Sequence, residues 1–126
     1  MPRATVNTQN TQHHDLKSLE GGYVVLRSLT YGQIVQRRAM LTLSVEGSGK
    51  ANKDFRGEMA MANEQITRFE FAHAIVEHNL EDESGRTLDL SRPVDFDALD
   101  PRVGQEIEEL ISDMNNFDDE EDPQGV

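Results

Sequence analysis

Gly21-Gly22-Tyr23-Val24-Val25-Leu26-Arg27-Ser28-Leu29-Thr30-Tyr31-Gly32-Gln33-Ile34 passes from turn to strand to helix, and its reading makes the fold α+β. The Gly21-Gly22 pair supplies the positive φ angles of a tight hairpin turn. Tyr23, Val24, Val25 and Leu26 favour extended backbone, because β-branched and aromatic side chains pack well on a pleated surface. A β-hairpin is therefore expected, with strands at residues 16–20 and 23–29. Thr30 is a good N-cap and Gln33 stands three residues later, which completes a capping box; Leu29 and Ile34 occupy the positions of a hydrophobic staple. These signals open a helix at residues 31–43, despite the cost of Gly32 near its start. Arg37 and Arg38 project from its side.

Working outward, residues 44–57 carry three glycines and short polar side chains, and read as a mobile loop. A long helix is expected from about residue 57 to residue 79. Ile66, Phe69, His73, Val76 and Leu80 recur at three- and four-residue spacing along one side of it. Phe71 and Ile75 fall on roughly the opposite side, since each residue turns the helix by about 100°. Such a helix is either buried on both sides or turns one side to a partner. Glu81-Asp82-Glu83-Ser84-Gly85 reads as a polar turn, followed by a short extended piece with Leu88 and Leu90. Asp100 as N-cap and Pro101 at the first helical position open the last helix. Its apolar stripe is Val103, Ile107, Leu110, Ile111, Met114 and Phe117, with Glu106, Glu108, Glu109 and Asp113 towards water. The acidic run at 118–122 opposes the negative end of the helix dipole and ends it near Phe117. The expected architecture is α+β, mostly α: a small N-terminal β-hairpin packed on about three helices. Residues 1–14 read as a flexible lead-in, 15–117 as a single small domain, and 118–126 as a disordered acidic tail.

Charge narrows the function. The chain has a net charge of −12, and its two parts differ sharply. Residues 77–126 hold 17 acids and three bases, whereas residues 1–76 hold seven acids and nine bases. An excess of this size repels nucleic-acid phosphates and anionic membrane surfaces. Other proteins are the expected partners. Hydrophobic residues make up only 36%, so part of the stability is expected from a homo-oligomer or a partner. With no cysteine, neither a disulfide nor a thiolate metal site exists. The first residues lack the apolar core of a signal peptide and no run reaches membrane-spanning length, so a cytoplasmic protein is expected.

The motifs that could carry chemistry fail on their chemistry. Gly47-Ser48-Gly49-Lys50 resembles half of a phosphate-binding loop, but Ser44 stands where the first glycine belongs and Ala51 where Ser or Thr belongs. An EF-hand loop anchored on Gly85 would put Leu80 at its first ligand position and Ser91 at its twelfth. His13 and His14 lie in the lead-in, and His73 and His78 point apart on a helix, His73 as a core histidine. Asp95 and Asp97 could suggest an acid/base pair, but nothing nearby separates their pKa values. No enzyme, metal or cofactor is expected.

Two stretches resemble a known family. One is Gly22-Tyr-Val-Val-Leu-Arg-Ser-Leu-Thr-Tyr-Gly-Gln33 followed by Arg37-Arg38. The other is Ile75-Val-Glu-His-Asn-Leu-Glu-Asp-Glu-Ser-Gly-Arg86, then Leu88, Leu90, Leu99-Asp-Pro101 and Ile107-Glu-Glu-Leu-Ile111. Together they resemble the small tail assembly chaperones of long-tailed bacteriophages. In that family a strand leads into a Leu-Thr-x-Gly/Glu helix start, and an Ile-x-x-Trp-Asn-Leu-x-Asp-x-x-Gly segment follows later; His78 stands where the tryptophan is usual. The resemblance implies a non-enzymatic protein in the infected host's cytoplasm, absent from the mature virion. It would bind the tape measure protein and keep its apolar helices soluble until tail tube protein polymerises around them. Many members are also made in a longer, frameshifted form. Helix-in-groove recognition of such a client needs exposed apolar faces. Phe71 and Ile75 on the two-sided helix, and Met114 and Phe117 on the last, are the candidate client contacts, with Met59, Met61 and Met114 suited to an adaptable surface. Two further classes compete: a small structural tail or neck protein of the virion, and an acidic DNA-mimic inhibitor.

Overall fold

The computed structural model describes residues 2–7, 9–47 and 52–116, with side-chain surroundings described at 2–7, 9–42 and 63–116. The order of elements is β1 (Thr11–Asp15), β2 (Tyr23–Arg27), α1 (Tyr31–Gly47), α2 (Asn52–Ala74), β3 (Ile75–His78), α3 (Pro93–Asp97) and α4 (Pro101–Asn115). The strands form one antiparallel sheet in the order β1-β2-β3. The fold is α+β with helix predominating, as the strand-to-helix stretch indicated.

β2 is the centre of the sheet and of the core. Val24 and Leu26 alternate inward and are fully buried, while Tyr23, Val25 and Arg27 face the other side. β1 pairs with β2 from Thr11↔Arg27 to Asp15↔Tyr23. The hairpin exists, but its first strand is not at 16–20; it lies in the stretch read as a flexible lead-in. The physical reason is Glu106 on α4. Its carboxylate accepts the N–H groups of Lys17 and Ser18 at 2.8 and 2.9 Å and the Ser18 hydroxyl at 2.6 Å. Residues 16–22 thereby become a loop docked on α4, with Leu16 in the core. The Leu16 N–H donates to the Gly22 carbonyl at 2.8 Å, and Gly21 takes the positive φ of 81°.

α1 opens on the capping box. Thr30 N–H donates to Gln33 Oε1 at 2.9 Å and Gln33 N–H donates to Thr30 Oγ1 at 3.2 Å. The helix runs on to Gly47 and α2 starts at Asn52, so most of the loop expected at 44–57 is helical; Ser48, Gly49, Lys50 and Ala51 lie outside the described residues. α2 ends at Ala74 rather than continuing to 79. Ile75–His78 instead pairs with β2, with a register shift between Val25 and Leu26. Two links secure that strand: Asn79 Oδ1 accepts the Tyr23 N–H at 2.9 Å, and Asn79 Nδ2 donates to the Gly21 carbonyl at 2.9 Å.

The polar turn at 81–85 closes a small hairpin. Leu88 N–H donates to the Leu80 carbonyl at 2.9 Å, Glu81 bridges Thr87, and Gly85 has a φ of 87°. Leu80, Leu88 and Leu90 are all buried. The short α3 has no counterpart in the sequence reading. α4 begins as expected, with Asp100 accepting the Arg102 N–H and Pro101 in the first turn. Its Val103, Ile107 and Ile111 are buried against a core that includes Val24, Leu26 and Leu80. Asn115 ties its far end to the start of α1, accepting the Leu29 N–H at 3.0 Å.

Candidate partner-binding surface

α2 is buried on both sides, and its second neighbour is α1. On one flank Arg37 Nε donates to Glu70 Oε2 at 3.0 Å, with both side chains almost wholly buried, and Gln33 Nε2 donates to His73 Nδ1 at 3.2 Å. His73 also packs on Phe69, with ring centroids 4.5 Å apart. On the other flank Phe71 and Ala74 enter the core.

This packing decides where the expected client contacts lie. Phe71 is 2% exposed and meets the edge of Phe96 at 5.4 Å. Its ring is a core element, not an outward contact as expected, because α3 and α4 close over that side of α2. Ile75 is half-buried, on β3 instead of a helix, and packs against the core. Met114 is likewise half-buried against the core near the end of α4. Phe117 lies outside the described residues, as does the acidic run. The three described residues, Phe71, Ile75 and Met114, therefore do not form one exposed face. Among the described residues the exposed large apolar ones are others: Leu19, Tyr31, Val35, Val76 and Val94. Tyr31 and Val35 are one turn apart on α1, in the turn where Gly32 had drawn attention only as a weak helix former.

Phe71 also underlies one opening in the surface. Together with Phe96, Leu99 and Gly104 it forms the apolar floor of an open groove of about 280 Å³ between α2 and the α3–α4 segment. Glu64, Asp100 and Glu108 stand among its walls. Glu108 also accepts the Thr67 hydroxyl at 2.9 Å, bridging α4 to α2. No sequence pattern announces this groove, since three segments supply its walls.

The acids are largely set by local partners. The Ser18 hydroxyl and the Lys17 and Ser18 N–H groups lower the pKa of Glu106, and the Arg102 guanidinium and N–H do the same for Asp100. Ser84 lowers Asp82 and Ser91 lowers Asp89 in the same way. His78 also falls below its usual value, because burial disfavours the charged imidazole, and its Nδ1 accepts the Leu80 N–H at 3.0 Å. Asp95, weighed above as half of an acid/base pair, is a structural anchor. Arg86 grips it with two nitrogens at 2.7 and 3.2 Å, the Asp89 N–H donates to it at 2.8 Å, and these bonds hold its pKa at about 2. Asp97 lies on the exposed side of α3, near Arg68. The two carboxylates do not face a common site.

The Asp95 anchor has a pH consequence. A carboxylate whose folded pKa is depressed contributes stability above its ordinary value of 3.8, and that contribution is lost as pH falls towards about 2. Stability should therefore drop between about pH 4 and pH 2, and Asp95→Asn should be less stable at neutral pH with a flatter acid dependence. Urea unfolding followed by circular dichroism at pH 7 and about pH 2.5 reads this. Equal acid sensitivity in both proteins would remove Asp95 as a source of it.

Among the described residues no group of three or more His, Cys, Asp or Glu side chains could hold a metal ion, and no helix is long and apolar enough to cross a membrane. Compared with protein-family models, with curated proteins and with solved structures, the chain gives no match.

Proposed function

We propose that this chain is a tail assembly chaperone of a long-tailed bacteriophage, a non-enzymatic protein that binds the tape measure protein in the host cytoplasm and keeps it soluble during tail tube assembly. One observation carries the reading. The two stretches that bear the family resemblance are far apart in sequence, yet they are immediate neighbours in the fold. β2 holds Tyr-Val-Val-Leu-Arg of the first stretch and pairs with β3, which holds Ile-Val-Glu-His of the second. Asn79, in the Asn-Leu of the second motif, accepts the Tyr23 N–H at the start of the first and donates to the carbonyl of Gly21 just before it. The Ile107–Ile111 turn of α4 packs into the same core.

The surface is compatible with holding an apolar client in solution: an open apolar groove, exposed apolar residues on α1, and a large negative charge that opposes precipitation of the loaded complex. Co-expression with the tape measure protein of the same phage tests the reading. The expected result is a shift of the tape measure protein into the soluble fraction and its recovery with the tagged chain. A tape measure protein that stays insoluble and is not recovered overturns the proposal, and stoichiometric copies of this chain in purified virions would move it to the structural class.

A further inference from the structure

We infer that β1 is where this chain pairs with a second copy of itself: two β1 strands run antiparallel about a two-fold axis through His13, and the sheet continues from one copy into the other. The pairing rests on the sheet edge alone and is independent of the client that the chain holds.

The backbone shows which groups are open. The Leu16 N–H bonds to the Gly22 carbonyl, which makes Leu16 and Gly22 a hydrogen-bonded position of the hairpin. Such positions alternate along an antiparallel ladder, so the next ones are His14 opposite Val24 and Gln12 opposite Leu26. Tyr23 agrees, since its N–H turns away from β1 to Asn79. The N–H and carbonyl groups of Thr11, His13 and Asp15 therefore point out of the sheet edge. Among the described residues none of them has a hydrogen-bond partner. The opposite edge differs, because residues 88–91 face Ile75, Val76 and His78 of β3 across a cleft. β1 also lacks the usual guards of a free edge: it has no lysine, no proline and no bulge.

Self-pairing is favoured by what faces what. An axis through His13 is the register that uses all three outward-facing residues on both strands. It sets Thr11 of each copy opposite Asp15 of the other, a hydroxyl donor against a carboxylate. Moving the axis to Asp15 would oppose two carboxylates and leave Thr11 without a partner. The side chains are already positioned: His13 Nε2 donates to Asp15 Oδ1 at 2.9 Å, and its ring stacks on Tyr23 with centroids 4.8 Å apart. A foreign extended segment would meet only Thr11, His13 and Asp15, with no apolar pocket to hold its side chains. Charge agrees as well. Copies with a net charge of −12 repel each other least where acids are fewest. β1 belongs to residues 1–76, with nine bases and seven acids, and lies across the sheet from β3, where the acid-rich part begins.

The contact is short. A turn in which Gln9 and Asn10 donate to Asn7 closes one end of the strand, and the loop docked on α4 closes the other. Small interfaces are weak, so the dimer should dissociate on dilution. Sedimentation velocity of the full chain should show a monomer at low micromolar and a growing dimer at high micromolar concentration. His13→Pro removes an outward N–H from each copy but no bond to β2, and proline is tolerated on a solvent-facing edge. Dimerisation should weaken roughly tenfold or more, whereas His13→Ala, which keeps the N–H, should stay within about threefold of wild type. Two variants at an exposed position remove dependence on the proline variant's folding. Thr11→Asp opposes two carboxylates and should weaken the dimer; Thr11→Lys sets an ammonium against Asp15 and should tighten it. A wild-type chain that stays monomeric overturns the assignment, as does a dimer indifferent to both His13→Pro and Thr11→Asp. A monomeric wild type that recovers the tape measure protein, and loses it in folded His13→Pro, gives the edge to the client and also overturns self-pairing. Failure to solubilise the tape measure protein leaves the dimer standing and removes only the chaperone reading.

Discussion

Ile107→Ala should destabilise the protein by about 2–5 kcal/mol, a large part of the roughly 5–15 kcal/mol that holds a domain of this size together. Ile107 has no exposed surface and lies in the cluster with Val24, Leu26, Leu80 and Ile111, several of which are equally inaccessible. Truncation removes the transfer free energy of the lost methyl and methylene groups and leaves a cavity. That cavity cannot collapse cheaply. On one side is a hydrogen-bonded strand held between two others, and on another is α4 itself, pinned by Glu106 to residues 17–18 and by Asn115 to Leu29. The cost therefore belongs near the upper half of the range. Glu109→Ala, on the exposed face of the same helix, should change stability by no more than about 0.5 kcal/mol. Urea unfolding of the three proteins measures both differences. A loss below about 1 kcal/mol for Ile107→Ala would mean that α4 does not seal the sheet in solution.

The same contrast between local and distant causes explains which parts of the fold were legible in the sequence. Thr30 and Gln33 needed only each other to form the capping box, and Asp100 and Pro101 needed only the helix they start. The stripe Val103, Ile107 and Ile111 could be read because α4 has a single buried side. β3 could not be read in this way. Ile75 and Val76 continue the helical spacing of Ile66, Phe69 and His73, and what makes them extended is the open edge of β2 and the Asn79 clamp, both supplied from residues 21–26. Their β-branched side chains were a signal, but one that the spacing outweighed. β1 carried even less: Thr-Gln-His-His-Asp has no apolar alternation, because an edge strand with exposed side chains does not need one. α2 hid its geometry for another reason. Its second buried side is faced by α1 through Arg37–Glu70 and Gln33–His73, polar pairs that an apolar stripe does not reveal. Assigning Phe71 to an outward face followed from that gap. The groove was invisible for the same cause, since Phe71, Phe96 and Gly104 come from three elements whose mutual placement is a tertiary fact.

Arg37→Met should cost about 3–5 kcal/mol, comparable to the loss of a core side chain although no apolar contact is removed. Arg37 and Glu70 have side chains only 9% and 8% exposed, and their bond of 3.0 Å crosses between α1 and α2. Taking two charges out of water costs several kcal/mol each, and their mutual attraction with its hydrogen bond offsets this only while both are present. With the guanidinium gone, the buried Glu70 carboxylate keeps only its other interactions, and the loss of this bond raises the folded state's free energy. Replacing both residues should behave differently. Arg37→Met with Glu70→Leu removes both desolvation costs and adds apolar contact between the helices, so the double variant should recover most of what Arg37→Met loses. Recovery should stop short of completion, because both side chains take part in interactions beyond this bond. The coupling is read from a double-mutant cycle of urea unfolding free energies. A cycle with no coupling, or a single variant within about 0.5 kcal/mol of wild type, would place both charges in water. Among the described residues, the Gln33–His73 bond would then carry more of the α1–α2 pairing.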